Sequence, residues 1–183
     1  MFVQPSYYEM VAVALKEINY GSDRVAGIVT PAFFEDLLTR VLCNQFHQDT
    51  KLLSTLFKPG GAIGDFGVKT DLAFLVGILS DRARKDLIRI RKIRNTFAHN
   101  YVLDTFDKSP VSDWAMALTI PYWYKFEGER KSSDGVKPKT IRVPSDKDMT
   151  KLSTPRGRFN VSCKCFVTLL ALTESRAPVN PQF

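Results

Sequence analysis

Apolar residues repeat at helical spacing along most of this chain. Between residues 85 and 101 they fall every three or four positions, at Leu87, Ile90, Ile93, Phe97 and Tyr101, which places them on one side of a helix. The same spacing predicts further helices over 5–19, 23–46, 52–57, 68–79, 111–118 and 159–175. The pattern therefore predicts an all-α fold, an antiparallel helical bundle with 68–79 as its central buried helix.

The helix predicted over 23–46 contains a proline. Pro31 lacks a backbone donor and should kink or split that helix. The charged residues on the polar side of the same segment are expected to be solvated; they are Glu35, Asp36 and Arg40.

The chain changes character after residue 119. Residues 120–126 are rich in aromatic and β-branched side chains and should be extended, whereas 127–155 should be a loop or hairpin with its best strand at 140–143. We expect one helical domain over 1–183, in which residues 120–158 form a basic, partly extended arm before the C-terminal helix. Residues 176–183 are expected to be a tail.

Basic charge is concentrated in two segments. The chain has 183 residues, 44% of them hydrophobic, and a formal net charge of +7. Residues 81–94 contain seven basic and two acidic side chains, and 125–158 contain ten and five, so each segment has a net charge of +5. Such clusters favour a polyanion as partner, with nucleic acid ahead of a membrane surface. Alternatively, both segments are solvated faces that only keep the protein soluble.

Few residues in the chain suit a metal ion. Cys163 and Cys165 stand two positions apart without a second pair or a nearby histidine, so we expect buried or half-buried thiols there and at Cys43. An odd number of cysteines favours a reducing compartment, and the first residues lack the basic and apolar pattern of an export signal. We therefore expect a cytoplasmic protein with no metal site, no cofactor and no membrane partner.

The 85–101 helix also contains the most concentrated polar chemistry in the chain. Arg91, Asn95 and His99 lie opposite its apolar side, with Arg94 at the margin. An imidazole exchanges protons near neutral pH and a guanidinium holds a phosphate through paired hydrogen bonds, which together suit phosphodiester cleavage. Arg94 and His99 lie about 140° apart on an ideal helix, so we predict a homodimer across this helix in which two copies complete one site. In the plainer interpretation, a histidine near a helix C-terminus and solvated arginines need no function.

Further basic side chains are candidates for holding an RNA backbone. They are Arg91 and Lys92 on the helix and Lys137, Lys139 and Arg142 in the arm. Rings beside them would stack on bases, or would pack the arm onto the bundle; these are Tyr122, Trp123 and Tyr124.

The segment RNTFAH at 94–99 resembles the motif of arginine, four residues and histidine that marks the HEPN superfamily. A wider likeness covers 23–101, somewhat under half of the chain. There, GDFGVKTDLAFLVGIL at 64–79 precedes the motif helix, and the whole segment resembles the mannitol operon repressor family of small all-helical bacterial proteins. The resemblance implies a HEPN-like bundle, and HEPN domains often pair so that two motifs form one ribonuclease site.

These resemblances imply two functions. The HEPN motif implies a metal-independent endoribonuclease, serving as a toxin or antiviral defence effector with an antitoxin or regulatory protein as partner. His99 would act as general base or acid when a ribose 2′-hydroxyl attacks the adjacent phosphate, Arg94 would stabilise the developing charge, and Asn95 would bind the phosphate or orient the histidine. The repressor family implies instead a non-enzymatic transcriptional regulator that acts through a protein partner.

Overall fold

Helices dominate the part of the chain that the computed structural model describes, which comprises residues 16, 18–130 and 139–174. In chain order they are α1 (Asp23–Cys43), α2 (Thr50–Phe57), α3 (Phe66–Leu75), α4 (Asp81–His99), α5 (Val111–Met116), α6 (Ile120–Trp123), α7 (Asp146–Met149) and α8 (Pro155–Glu174). Strands β1 (Phe126–Arg130) and β2 (Lys139–Val143) lie between α6 and α7. The predicted all-α helical bundle is confirmed.

Helix α4, which contains the arginine and histidine of the motif, lies in the core of the bundle. It packs against α1, α3 and α5, and four of its predicted apolar residues are fully buried: Leu87, Ile90, Ile93 and Phe97. Burying one such side chain contributes about 1.5–3 kcal/mol, so this stripe fixes which side of α4 faces solvent. The prediction for Tyr101 is wrong, because α4 ends at His99 and the tyrosine is 88% exposed.

Helix α1 runs without interruption through Pro31, so the predicted split does not occur. Proline lacks the N–H that would bind the carbonyl oxygen of Gly27 four residues earlier. At Gly27 the ring of Phe97 takes the place of a side chain, since an added Cβ would lie 2.3 Å from Phe97 Cδ2. The Phe97 ring of α4 thus packs directly on the backbone of α1, one turn before the proline.

Helix α3 is shorter and more exposed than the sequence predicts. It ends at Leu75, and Gly77 follows with a φ of +78°, a left-handed conformation that favours glycine. Three consecutive apolar residues at this end are 36%, 77% and 44% exposed, namely Phe74, Leu75 and Val76. The prediction of a central buried helix over 68–79 is therefore wrong, and α4 has the more buried apolar stripe.

The arm begins with a helical turn rather than the predicted extended segment. Helix α6 forms there because the buried carboxylate of Asp86 accepts hydrogen bonds from the backbone N–H groups of Thr119 and Ile120, at 2.8 and 2.7 Å. The free N–H groups at the start of a helix need such acceptors. Strands β1 and β2 then pair antiparallel, which confirms the strand predicted at 140–143.

Arg156, near the start of α8, connects this last helix to the segment around the start of α1. Its guanidinium donates to the carboxylate of Asp23 at 2.6 Å and to the carbonyl oxygens of Ile18 and Gly21 at 3.2 and 2.9 Å. Ile18, in the segment predicted to be helical over 5–19, is fully buried. Most of that helix and the predicted tail at 176–183 lie outside the described residues.

The three cysteines are free thiols. Cys163 and Cys165 are buried and Cys43 is half-buried, as the sequence predicts. Burial raises the pKa of the Cys165 thiol to about 12, so it is neutral and unreactive near pH 7. Within the described ranges no cluster of three or more histidine, cysteine or acidic side chains could hold a metal ion. No helix in these ranges is both long and apolar enough to cross a bilayer.

Candidate functional site: a cleft beside the motif helix

A cleft of about 490 Å³ opens between α1, the loop before α3 and the polar side of α4. Helix α4 contributes Arg91, Arg94, Asn95 and His99, α1 contributes Pro31 and Glu35, and the third wall consists of residues 59–61 and 64–66. The volume is within the usual range of ligand pockets, about 300–1,000 Å³. The three residues predicted to be catalytic therefore line one cavity of a single chain.

Arg94 and His99 form the two margins of the α4 wall. At 100° per residue the lining side chains span an arc of about 140°, and Arg91 and Asn95 lie between the two margins. The cleft includes the whole arc, so one chain suffices to bring the arginine and the histidine to one cavity. The homodimer inferred from their angular separation stays a prediction.

The side chains on this wall differ in how firmly they are held. Arg94 Nη1 donates a hydrogen bond to Asn95 Oδ1 at 3.1 Å, and both residues are half-buried. His99 is the last residue of α4 and is exposed. The amide of Asn95 therefore orients the guanidinium, whereas the imidazole is open to solvent and to a ligand in the cleft.

Arg91 is tied to the opposite wall. Its Nη2 lies 3.1 and 3.0 Å from the two carboxylate oxygens of Asp65. Burial disfavours the charged carboxylate, but the N–H groups of Gly67 and Val68 and the Arg91 guanidinium together outweigh burial and lower the pKa of Asp65. A side chain at 67 would obstruct this pair, because an added Cβ would lie 2.9 Å from Asp65 Oδ1 and 3.1 Å from Arg91 Cζ.

Glycines allow the loop before α3 to form the third wall. Gly60 has a φ of +78°. A Cβ added at Gly61 would lie 2.4 Å from the carbonyl oxygen of Leu56, and one at Gly64 would lie 2.3 Å from that of Lys58. The loop thus folds tightly against the end of α2. The sequence reveals these glycines but not that they face the motif helix, because that proximity depends on tertiary packing.

Glu35 is a cleft residue that the sequence interpretation missed. Its carboxylate pairs at 3.1 Å with the Nζ of Lys69, whose side chain is only 5% exposed. The prediction of a solvated charge is wrong for Glu35, although the adjacent Asp36 is exposed as predicted. The spacing of four between Pro31 and Glu35 predicts that both lie on one side of α1. It does not indicate which element that side faces.

Arg24 of α1 fixes the end of α4 next to His99. Its guanidinium donates to the carbonyl oxygen of Phe97. Its Nη2 also donates, at 3.0, 3.1 and 2.7 Å, to the carbonyl oxygens of Asn100, Tyr101 and Leu103. A helix leaves its last carbonyl groups without internal donors, so this one side chain satisfies both the helix end and the turn that follows.

The other predicted RNA-binding residues do not line the cleft. Lys92 is exposed, with its Nζ 5.7 Å from the ring centroid of Trp114. Arg142 pairs with Glu127 across the hairpin at 3.3 Å, and both side chains are 60% exposed. Lys137 lies outside the described residues, and only the backbone of Lys139 is described.

The fold is similar to that of a chain in the X-ray structure of the MtlR–HPr complex from Escherichia coli. The two chains align with a TM-score of 0.63 at 13% sequence identity, over 89% of this chain and 99% of the other. This similarity supports the fold implied by the resemblance to the mannitol operon repressor family. The chain matches no protein-family model and no curated protein sequence, so membership of the HEPN superfamily stays a prediction.

Proposed function

We propose that this protein is a non-enzymatic transcriptional regulator of the mannitol operon repressor type, which acts in the cytoplasm by binding a partner protein. The supporting observation is the similarity of fold, over nearly the whole chain, to a chain of the MtlR–HPr complex. We infer that the partner is an HPr protein. Because a shared fold does not by itself transfer a function, the proposal also requires a surface on which a protein can bind.

The exposed end of α3 provides such a surface, which we call the α3 patch and define as Phe74, Leu75 and Val76. Leu75 is 77% exposed. Arg84 flanks the patch, with its Cζ 5.5 Å from the ring centroid of Phe74 and its Nε 2.7 Å from the carboxylate of Asp71. Apolar patches bordered by polar groups are typical of protein interfaces, in which aromatic and arginine side chains are enriched.

Calorimetric titration of the full chain with HPr from the same organism tests this proposal. Wild-type protein should bind, and Leu75→Asp should weaken binding at least about tenfold, since an unpaired charge in an interface costs well over 1.4 kcal/mol. Leu52→Asp is the matched control, because Leu52 is 55% exposed on α2 outside the patch. Arg94→Ala and His99→Ala should also leave binding unchanged. Absence of HPr binding would contradict the regulatory proposal, and binding that survives Leu75→Asp would contradict the α3 patch.

A metal-independent endoribonuclease of HEPN type is a second candidate function. The observation in its favour is that Arg94, Asn95 and His99 line one cleft. In this proposal the ribose 2′-oxygen attacks the adjacent phosphorus, His99 accepts its proton, and the bond from phosphorus to the 5′-oxygen breaks as that oxygen receives a proton. Arg94, oriented by Asn95, stabilises the negative charge on the phosphate. The products are a 2′,3′-cyclic phosphate and a 5′-hydroxyl, as expected of a toxin or defence effector that acts on RNA.

Incubation with total RNA in EDTA tests the second candidate. Wild-type protein should cleave the RNA, His99→Ala should abolish cleavage, and DNA should resist because it lacks the attacking hydroxyl. His47→Ala is the control, since His47 is an exposed histidine that does not line the cleft. RNA that stays intact with wild-type protein would exclude the nuclease function while leaving the HPr proposal untouched.

A further inference from the structure

We propose that a second groove binds a nucleotide unit, with its base against Tyr122 and its phosphate against basic side chains from the first half of α4. The groove has a volume of about 460 Å³ and is lined by Arg82, Lys85, Arg89, Thr119, Tyr122 and Trp123. None of these residues lines the cleft that contains Arg94 and His99. The proposal therefore does not depend on either function proposed above.

The aromatic side of the groove includes the ring of Tyr122, which packs against an arginine and is partly exposed to solvent. Tyr122 is 52% exposed, and the Cζ of Arg158 lies over its ring at 5.3 Å from the centroid. Arg158 is itself fixed by hydrogen bonds to the carbonyl oxygens of Met116 and Leu152. A ring supported in this way offers its exposed surface for stacking with a base, which tolerates any base because every base has a π face.

The basic side of the groove is a row of three cations. Arg82, Lys85 and Arg89 are separated by three and four residues, so they project from the same side of α4. Lys85 pairs with Asp81 at 2.6 Å and Arg89 pairs with Asp86 at 2.9 Å, and each cation retains further donors. Arginine and lysine donors of this kind bind phosphate oxygens through charge-assisted hydrogen bonds.

Asp86 fixes the two sides of the groove relative to each other. Asp86 is fully buried, with 0% of its surface exposed. One carboxylate oxygen accepts from Arg89, and the other accepts from the backbone N–H groups of Thr119 and Ile120 and from the Thr119 hydroxyl at 3.1 Å. Trp123 is fixed as well, since its indole N–H donates to the same hydroxyl at 3.1 Å. The groove is thus formed before any ligand arrives, which reduces the entropy cost of binding.

The aromatic and basic sides together determine which class of ligand the groove can bind. An inorganic anion would use the cations alone, whereas a planar base joined to a phosphate would use both sides and fits a groove of this volume. Such a unit occurs in a free mononucleotide and in single-stranded RNA. Titration of the full chain with AMP, UMP, a single-stranded pentanucleotide RNA and inorganic phosphate, followed by calorimetry, distinguishes these sources.

We expect binding of a mononucleotide, or of the RNA alone, or of both. Tyr122→Ala should weaken it about tenfold, the typical effect of losing one stacked base. Tyr122→Leu should show the same loss while preserving the packing on Arg158. Tyr101→Ala is the aromatic control, since Tyr101 is 88% exposed outside the groove. The double variant Arg82→Ala, Lys85→Ala should weaken binding and reduce its dependence on salt, whereas Lys108→Ala, at a lysine that is 62% exposed elsewhere, should not.

Three results would overturn the proposal. One is that none of the nucleotide ligands binds. Another is that inorganic phosphate binds as tightly as the nucleotides and that Tyr122→Ala and Tyr122→Leu have no effect. The third is that Lys108→Ala weakens binding as much as the groove variant does, which would mean that only the general positive charge of the protein attracts the ligand.

Discussion

Arg91 contacts both carboxylate oxygens of Asp65 through a single nitrogen, at 3.1 and 3.0 Å. The pair connects the motif helix to the start of α3, where the same carboxylate also accepts the N–H groups of Gly67 and Val68. One acidic side chain thus ends the glycine-containing loop, caps α3 and holds one of the cleft's cations.

Gly67→Ala should separate Arg91 from Asp65, because the new Cβ would lie within 3.1 Å of both side chains. The pKa of Asp65 is below its ordinary value of 3.8 in the native protein, and it should rise in the variant. The contribution of the pair to stability should accordingly be present above pH 3.8 and disappear as the pH falls through the lowered pKa. NMR titration of the Asp65 carboxyl measures the shift, and Arg91→Ala should reproduce it. Identical titration curves in all three proteins would contradict this account.

Asp86→Ala should destabilise the protein by about 3 kcal/mol, because it leaves the N–H groups of Thr119 and Ile120 without their acceptor and removes the partner of Arg89. Urea unfolding measures the loss. Asp81→Asn is the control, because Asp81 pairs with Lys85 on the exposed surface of the same helix. This change should lower the free energy of unfolding by no more than about 0.5 kcal/mol. Equal effects of the two changes would mean that Asp86 does not anchor α6.

Gly27→Ala should destabilise the protein by about 1–3 kcal/mol through overpacking. Alanine favours a helix over glycine by about 1 kcal/mol, but the contact of 2.3 Å with the Phe97 ring leaves no space for the methyl group. Combining Gly27→Ala with Phe97→Leu should cost less than the sum of the two single changes, because the smaller side chain relieves the clash. A double-mutant cycle by chemical denaturation measures this coupling, and strictly additive losses would argue against close packing at this point.

Asp148→Asn should reduce stability near neutral pH by about 1–2 kcal/mol. Burial opposes ionisation of this carboxyl, but the hydrogen bonds from Lys164, at 2.7 Å, and from Ser145 lower its pKa. The difference from wild type should be full above pH 3.8 and vanish as the pH falls through the lowered pKa. Asp146→Asn is the control, because Asp146 is exposed in the same turn. Unfolding at pH 7 and pH 3 tests the sign of the effect.

We predict a homodimer across α4 in which His99 of each chain faces the same cleft. Repulsion between the doubled basic surfaces would have to be offset by an anion or by the acids Asp81 and Asp86, which pair with Lys85 and Arg89 of their own chain. Light scattering at micromolar concentration, with and without added RNA, measures the oligomeric state. A monomer under both conditions, or a dimer with the two His99 side chains on opposite surfaces, would exclude a composite site.

Local patterns in the sequence predict the helices better than they predict their surroundings. The spacing of Leu87, Ile90, Ile93 and Phe97 identifies the buried side of α4, because a helix presents every third or fourth residue in one direction. The prediction for Glu35 is wrong because its environment depends on Lys69, 34 positions away. Likewise, α6 replaces an extended segment because Asp86 supplies acceptors from another helix. These contacts join residues that are far apart in the sequence, so a local sequence pattern cannot predict them.

The four carbonyl oxygens that Arg24 binds make the geometry of the motif depend on a distant part of the chain. The residue that satisfies the carbonyl groups around His99 is 73 positions earlier in sequence than the first of them. A synthetic peptide containing only 81–99 would retain the arginine and histidine but would fray at its C-terminal end, since isolated short helices are marginal in water. The geometry around the histidine should therefore appear late in folding, once α1 has docked. The motif is a property of the assembled bundle, so it should not function when grafted as a single helix onto another scaffold.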